Sequence, residues 1–240
     1  MNETSFIDPY YFQGCLQYIL PYVKVTMGIT VLSMGLGIIL GLLCAFVEYK
    51  NVPILSFLAR LYVLICRSLP NMVLLYLVYY GVPLLIMALA QKGHFDLHVE
   101  KVTALQIAIL GLTLHSGAYL TETFRAALEA IPVGQLEAGK ALGMTWPQLF
   151  RRVLLPQAAV FSLPLVANQF LSTMKSTSIV FVITVVEMFG AAKLFCEDNS
   201  QYFESYIAAA CIYWALGIIF EFLFDRLEVN LSRYRRGNVA

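Results

Sequence analysis

Five stretches of this chain are too long and too apolar to face water, and that feature limits its possible folds more than any other. They are Val23–Val47, Ile54–Tyr80, Ala104–Arg125, Gln157–Ala192 and Tyr206–Leu227. A helix needs about 20 apolar residues to cross the hydrocarbon core of a bilayer. The fourth stretch is too long for one straight crossing at about 1.5 Å per residue. It also holds Pro164 and the polar run Lys175–Ser178, so a broken helix is expected there. Over the whole chain 60% of the 240 residues are apolar and 13% are charged. Soluble domains average about 45–50% and 25%. The expected fold is all-α and polytopic: one membrane domain, 1–240, with about five transmembrane helices.

The distribution of charge sets an expected direction. With the N-terminus outside, the inner segments hold Lys50, Arg60, Arg125, Lys140, Arg151, Arg152, Arg226, Arg233, Arg235 and Arg236. The outer segments hold Lys24, Lys92, Lys101 and Lys193. Positively charged loops stay on the cytoplasmic side, so an outside N-terminus and a cytoplasmic C-terminus are expected, in a multi-pass protein of the cell (cytoplasmic) membrane. Met1–Tyr11 carries Glu3 and Asp8 but no Lys or Arg, unlike a cleaved signal. The first span is therefore expected to be retained.

Several residue patterns have plain readings. The five cysteines lack CxxC spacing, which argues against a zinc site or a disulfide framework. A Cys15–Cys196 bridge requires both thiols to face outward. His94, Asp96 and His98 are read as a solvated loop before a metal site. Ser33, Gly37, Gly41 and Ala45 recur every four residues and form one small-residue face, suited to close helix packing within the chain.

The segment from Leu128 to Pro156 reads as two short helices with a turn between them. Pro132 and Gly134 interrupt the chain, Gln135–Leu142 has good helix formers, and Gly143 suits a C′ position. Thr145 is placed to cap the second helix, with Trp146-Pro147 in its first turn and Gln148 three residues on. The run Gly134-Gln-Leu-Glu-Ala-Gly139-Lys140 approaches a phosphate-binding loop. Ala141 stands where that loop needs Ser or Thr for Mg²⁺, and no strand precedes it. Any ATPase is therefore a separate polypeptide.

Glu137-Ala138-Gly139, Gly143, Val153 and Leu155-Pro156 resemble the EAA motif of bacterial ABC importer permeases in residue type and spacing. Gly139 replaces the motif's second Ala and Val153 its Ile. The resemblance extends to the polar amino-acid uptake branch through Arg67-Ser-Leu-Pro70, Gly117-Ala-Tyr-Leu-Thr-Glu122-Thr-Phe-Arg125, Leu155-Pro-Gln-Ala158 and Lys175-Ser-Thr-Ser178 followed by Glu187. Ser68-Leu69, Asn71 and Ser176 depart from that branch's pattern. The resemblance implies a type I importer permease whose coupling loop, carrying Glu137, Ala138, Gly139 and Gly143, docks into a cytoplasmic ABC ATPase dimer. It implies a second permease subunit, identical or homologous, and an extracytoplasmic amino-acid-binding protein. ATP and Mg belong to the ATPase, so no cofactor and no catalytic residue are expected on this chain. No nucleic-acid partner is expected. Members of the branch import amino acids such as cystine, glutamine, histidine or arginine.

Candidate pathway residues are those whose polarity is costly inside a span. Asn168, Ser172 and Lys175 share one helical face at i, i+4 and i+7. Lys175 is suited to a substrate carboxylate and Glu187 to an amine; a Lys175–Glu187 pair that holds the broken helix is the rival reading. Arg67 stands before the helix-breaking Pro70, either to meet a carboxylate or to bind freed carbonyls. Glu122 and Arg125 suit an ion pair. His115 either lines the pathway or is hydrogen-bonded between helices. An ion-coupled secondary transporter would use the same charges, whereas an intramembrane enzyme needs a constellation that three dispersed histidines do not supply.

Overall fold

A computed structural model of the chain describes residues 8–93 and 102–237. Among these residues the elements are helical, with no strand. Helix α1 spans Pro9–Ile19 and continues through a 3₁₀ turn at Leu20–Tyr22 into α2, Val23–Tyr49. Then come α3 (Pro53–Ser68), α4 (Asn71–Gly93) and α5 (Ala104–Glu129). Two short helices follow, α6 (Val133–Ala141) and α7 (Trp146–Leu149), and a π-helical turn at Phe150–Leu154 leads into α8 (Leu155–Ser176). After a 3₁₀ segment at Thr177–Ile183 the chain ends with α9 (Met188–Asn199) and α10 (Tyr202–Gly237). Among the described residues five segments are long and apolar enough to cross a membrane: Pro9–Tyr49, Asn71–Ala90, Ala104–Glu129, Trp146–Ile183 and Tyr202–Asn230.

The second expected span is corrected by the structure. Ile54–Tyr80 is not one helix but the end-to-end pair α3 and α4. Pro70 has no N–H and its ring drives the preceding residue out of the helical region. Leu69 accordingly adopts φ −87°, ψ 141°. At about 1.5 Å per residue α3 is shorter than the hydrocarbon core. Pro83, by contrast, lies inside α4 without ending it.

The centre of the bundle is the pair α2 and α5, which run parallel. Ser33 donates to the Ile109 carbonyl at 3.2 Å. One turn on, Gly37 faces Ser116, and one further turn on Gly41 faces Leu120. The small-residue face is thus an intramolecular seam, as its spacing suggests. A Cβ on Gly41 would lie 2.8 Å from Leu120 Cβ, so the backbones approach only because that atom is missing. Helices α3 and α4 retrace α5 in the reverse direction. Arg60 sits by Glu48, Tyr62 donates to the Leu114 carbonyl at 2.7 Å, and Leu75 lies against Gly111. The resulting core joins Ile29, Leu74, Leu75, Val78, Ile107 and Leu112. Helix α5 begins with a capping box, in which Thr103 Oγ1 accepts from Gln106 N and Gln106 Oε1 from Thr103 N.

A second core joins the N-terminal helix to the last two: Cys15 and Ile19 pack with Met188, Ala191, Ala192 and Ala208. Cys15 and Cys196 are buried free thiols, so the bridge that requires outward-facing cysteines is not formed. The fourth stretch is broken as expected, the α-helix giving way to a 3₁₀ segment at Thr177 within the polar run. The chain stays helical through Lys175–Ser178 and turns at Thr184, which has φ +67°.

Glu187 closes that break. It caps α9, accepting the Gly190 N–H at 3.0 Å, the Thr26 hydroxyl at 3.1 Å and the Tyr213 hydroxyl at 2.6 Å. The residue is fully buried, so these donors have no water to turn to. Glu187→Ala is expected to destabilise the protein by about 2–4 kcal/mol, from a lost cap and stranded donors. Glu187→Gln, which keeps an acceptor, should cost less. Thermal unfolding of the purified variants in detergent measures both.

Candidate functional site

Two regions gather most of the residues singled out from the sequence: the 130–154 loop, and a groove between α3, α5 and α8.

The loop is built from turn chemistry. Gly143 has φ +75°, a conformation that favours glycine. Its N–H donates to the Lys140 carbonyl at 2.9 Å and the Met144 N–H to the Gly139 carbonyl at 3.0 Å. This paired pattern ends α6 as a Schellman motif. Four residues later α7 is under way, and the Thr145 N–H donates to Gln148 Oε1 at 2.8 Å. Pro156 cannot donate to a carbonyl one turn back. The turn before it widens, so that Leu155 N–H reaches the Phe150 carbonyl.

One face of this unit is fastened to the bundle and the other is bare. Leu136 packs towards Ala127, Leu128, Ile131 and Leu154. Trp146 stacks on Tyr49 at 6.1 Å between centroids, Phe150 meets Phe46 at 5.5 Å, and Lys50 Nζ lies 3.3 Å above the Trp146 ring. Gln157 Nε2 donates to Gln135 Oε1. The α6–α7 unit is thereby tied to the end of α2 and the start of α8. Tyr49 and Lys50 were not singled out from the sequence; the aromatic pair flanking a span end was the available signal. Glu137 and Ala138 are exposed, as are Val133 and Leu142. Gly139 is buried, and a Cβ there would run into Leu149 Cδ2. That atom is the end of a flexible side chain, so alanine fits once Leu149 rotates. The substitution of glycine for the motif's second alanine leaves the shape of the helix unchanged.

The groove has its floor on α8. Asn168, Ser172 and Lys175 lie on one exposed face, as their spacing requires. Asn168 and Ser172 line a cavity of about 480 Å³ together with Arg67, Tyr119, Glu122 and Gln169. The same two residues line an adjoining cavity of about 400 Å³ with Lys175 and Ser176. Arg67 and the α8 stripe, distant in sequence, therefore border two adjoining cavities, whose walls also include the apolar Ala126, Leu165, Leu171 and Ile179. Binding pockets for small molecules occupy about 300–1,000 Å³.

Arg67 does not turn back onto the carbonyls freed at Pro70 in any hydrogen bond among the described residues. Its guanidinium lies 5.3 Å above the Tyr119 ring and 3.9 Å from Glu122. Glu122 also pairs with Arg125 at 2.7 Å, and Arg125 with Glu129 at 2.8 Å. The expected Glu122–Arg125 pair is present within a longer network. Beside it, Glu48 and Arg60 are 3.8 Å apart across a further cavity of about 430 Å³ that also meets Arg125 and Glu129.

Glu187 does not join the groove. Its oxygens are taken by the three donors described above, so Glu187 is not placed to meet a substrate amine in the groove, and the rival Lys175–Glu187 pair is not formed either: burial and the α9 cap hold the carboxylate elsewhere. Lys175 has no ion pair among the described residues. His115 is half-buried with its ring 5.0 Å from Tyr119, and its buried Nδ1 has no hydrogen-bond partner among the described residues. His94, Asp96 and His98 lie outside the described residues. Elsewhere no cluster of metal-ligating side chains occurs among the described residues.

Comparison with known proteins agrees with this architecture. Residues 37–233 match the family described as binding-protein-dependent transport system inner membrane component. The chain is 40% identical over 209 residues to the probable amino-acid permease protein YxeN of Bacillus subtilis (strain 168), covering 87% of this chain and 89% of that one. It is 33% identical to the L-cystine transport system permease protein TcyL of the same organism, covering 88% and 86%. Among solved structures, an amino acid ABC transporter crystallised with histidines superposes with a TM-score of 0.79 at 27% identity, covering 93% of this chain and 99% of the other.

Proposed function

The chain belongs to the family of binding-protein-dependent transport system inner membrane components, among its amino-acid ABC permeases, and from that premise we propose that it forms the translocation pathway of an ATP-driven importer for a polar amino acid. As a transport permease it is not an enzyme. The observation that carries the mechanism is the α6–α7 unit, with a bare Glu137-Ala138 face outward and aromatic fastenings to two spans behind it. A short helix held this way can be gripped by a partner without being detached from the bundle.

In the proposed mechanism two such permeases face each other across the pathway, and a cytoplasmic ATPase dimer receives the two α6 helices. ATP and Mg act on the ATPase. Closure of that dimer moves α6 and α7 as a lever, and the stack of Trp146 on Tyr49 and Lys50 passes the displacement to α2, while the π-turn passes it to α8. Rigid elements moving about packed interfaces are the usual means of such transitions. The excess of Lys and Arg at the loop end supports a cytoplasmic loop, an outside N-terminus and a cytoplasmic C-terminus. An extracytoplasmic binding protein delivers the amino acid at the opposite end. The groove of Arg67, Asn168, Ser172 and Lys175 is the proposed substrate surface, with His115 beside it. Cystine, arginine and histidine are candidates that the relatives suggest, and glutamine is one that the resemblance to the branch adds.

Vesicles reconstituted with the permease, its ATPase and its binding protein test this reading. Uptake should require ATP and all three components, and should persist when ion gradients are collapsed. Uptake that follows an ion gradient without the ATPase would instead establish a secondary transporter.

A further inference from the structure

The charge balance of the groove narrows the substrate class. Arg67 and Arg125 face Glu122 and Glu129 in a connected network, two cations against two carboxylates. Glu48, beside that network, is paired with Arg60, and Glu187 is buried under its three donors. Of the cations that line the groove, Arg67 and Lys175, the lysine has no counter-charge among the described residues. Leu171 and Ile179 complete the lining of its cavity, and the polar side chains beside it are Asn168, Ser172, Ser176 and, in the adjoining cavity, Gln169. All are neutral, and each offers an oxygen that accepts a hydrogen bond.

We infer that the groove takes an amino acid with no net charge, its α-carboxylate on Lys175 and its α-ammonium on the amide and hydroxyl oxygens of α8, and that it discriminates against cationic side chains. This inference rests on the reading of the groove as the substrate surface. A zwitterion neutralises Lys175 and brings no unmatched charge. An arginine or lysine substrate carries a second cation to a surface where Lys175 is already unpaired and no free carboxylate receives it. Selectivity arises as much from the penalty on the wrong ligand as from attraction of the right one.

The test is equilibrium binding of radiolabelled glutamine, cystine, arginine and glutamate, each measured separately on the purified permease–ATPase complex. Glutamine or cystine should bind at least about tenfold more tightly than arginine. Lys175→Glu should reverse that order, and Lys175→Arg should preserve it. Lys175 makes no ion pair among the described residues, so these variants are expected to fold. Arginine binding as tightly as the neutral ligands, an unchanged order in Lys175→Glu, or binding of none of the four would each overturn the inference. ATP-driven uptake by the complete system, run in parallel, separates the two levels. If uptake is ATP-dependent while binding ignores Lys175, only the substrate assignment falls. If uptake needs no ATPase, the transport mechanism itself falls.

Discussion

Replacing Glu137 by lysine is expected to reduce ATP-driven import by about a hundredfold or more while leaving the permease folded. The carboxylate is exposed on α6 and makes no hydrogen bond or ion pair among the described residues. Its removal therefore strands no buried partner, and surface changes of this kind usually alter stability by less than about 0.5 kcal/mol. Its proposed role is in contact with the ATPase. A like-charge contact at an interface costs several kcal/mol, and about 1.4 kcal/mol corresponds to tenfold. The charge-neutral Glu137→Gln should fall between lysine and wild type. Two measurements check this: co-purification of the ATPase with the variant permease, and ATP-driven uptake in vesicles. Loss of both indicates failed docking, while intact assembly with ATP hydrolysis but no uptake indicates uncoupling. Normal coupled import by the lysine variant would remove Glu137 from the coupling interface.

Gly41→Leu should prevent the protein from accumulating in the membrane. The position faces the α2–α5 seam, where a Cβ would meet Leu120 Cβ at 2.8 Å and the backbone atoms Leu120 C and Thr121 N at 3.1 Å. None of these atoms can rotate away, so the helices must separate. Alanine alone should cost about 1–3 kcal/mol by overpacking; leucine adds a branched side chain to the same gap. Gly35 is the control, since it lies on the same helix with nothing within 4 Å of an added Cβ. Gly35→Leu should accumulate and unfold like the parent protein. Equal behaviour of the two leucine variants would contradict the seam. Gly37, with Ser116 Oγ at 2.5 Å from its virtual Cβ, should behave like Gly41, although its obstacle is a side chain.

These two predictions rest on features of differing legibility. The Gly-Ala spacing that defines the seam is readable because a helix repeats every 3.6 residues, and small residues four apart must share a face. Which helix fills the seam is not readable, since α2 and α5 are separated by two other helices along the chain. The loop is more legible. Gly143, Thr145 and Pro156 each restrict their own backbone, so the turn, the start of α7 and the entry to α8 follow from neighbouring residues. The Lys50–Trp146 contact depends on where the end of α2 arrives, and no local rule supplies that. Pro70 illustrates a partial reading: a break is expected from its missing N–H, but not its extent, which divides one apparent span into α3 and α4.

The sequence by itself determined that the chain is a helical membrane protein, that its loop has two short helices about Gly143, and that Asn168, Ser172 and Lys175 share a face. All three follow from local causes: hydrophobic length, turn stereochemistry and helical period. Only the tertiary structure decided the partners. It directed Glu187 to Thr26, Tyr213 and the cap of α9, and left Lys175 without a counter-charge. The physical reason is that a buried carboxylate goes where several donors converge from different helices. Convergence of that kind is a property of packing, to which no spacing along one helix gives access.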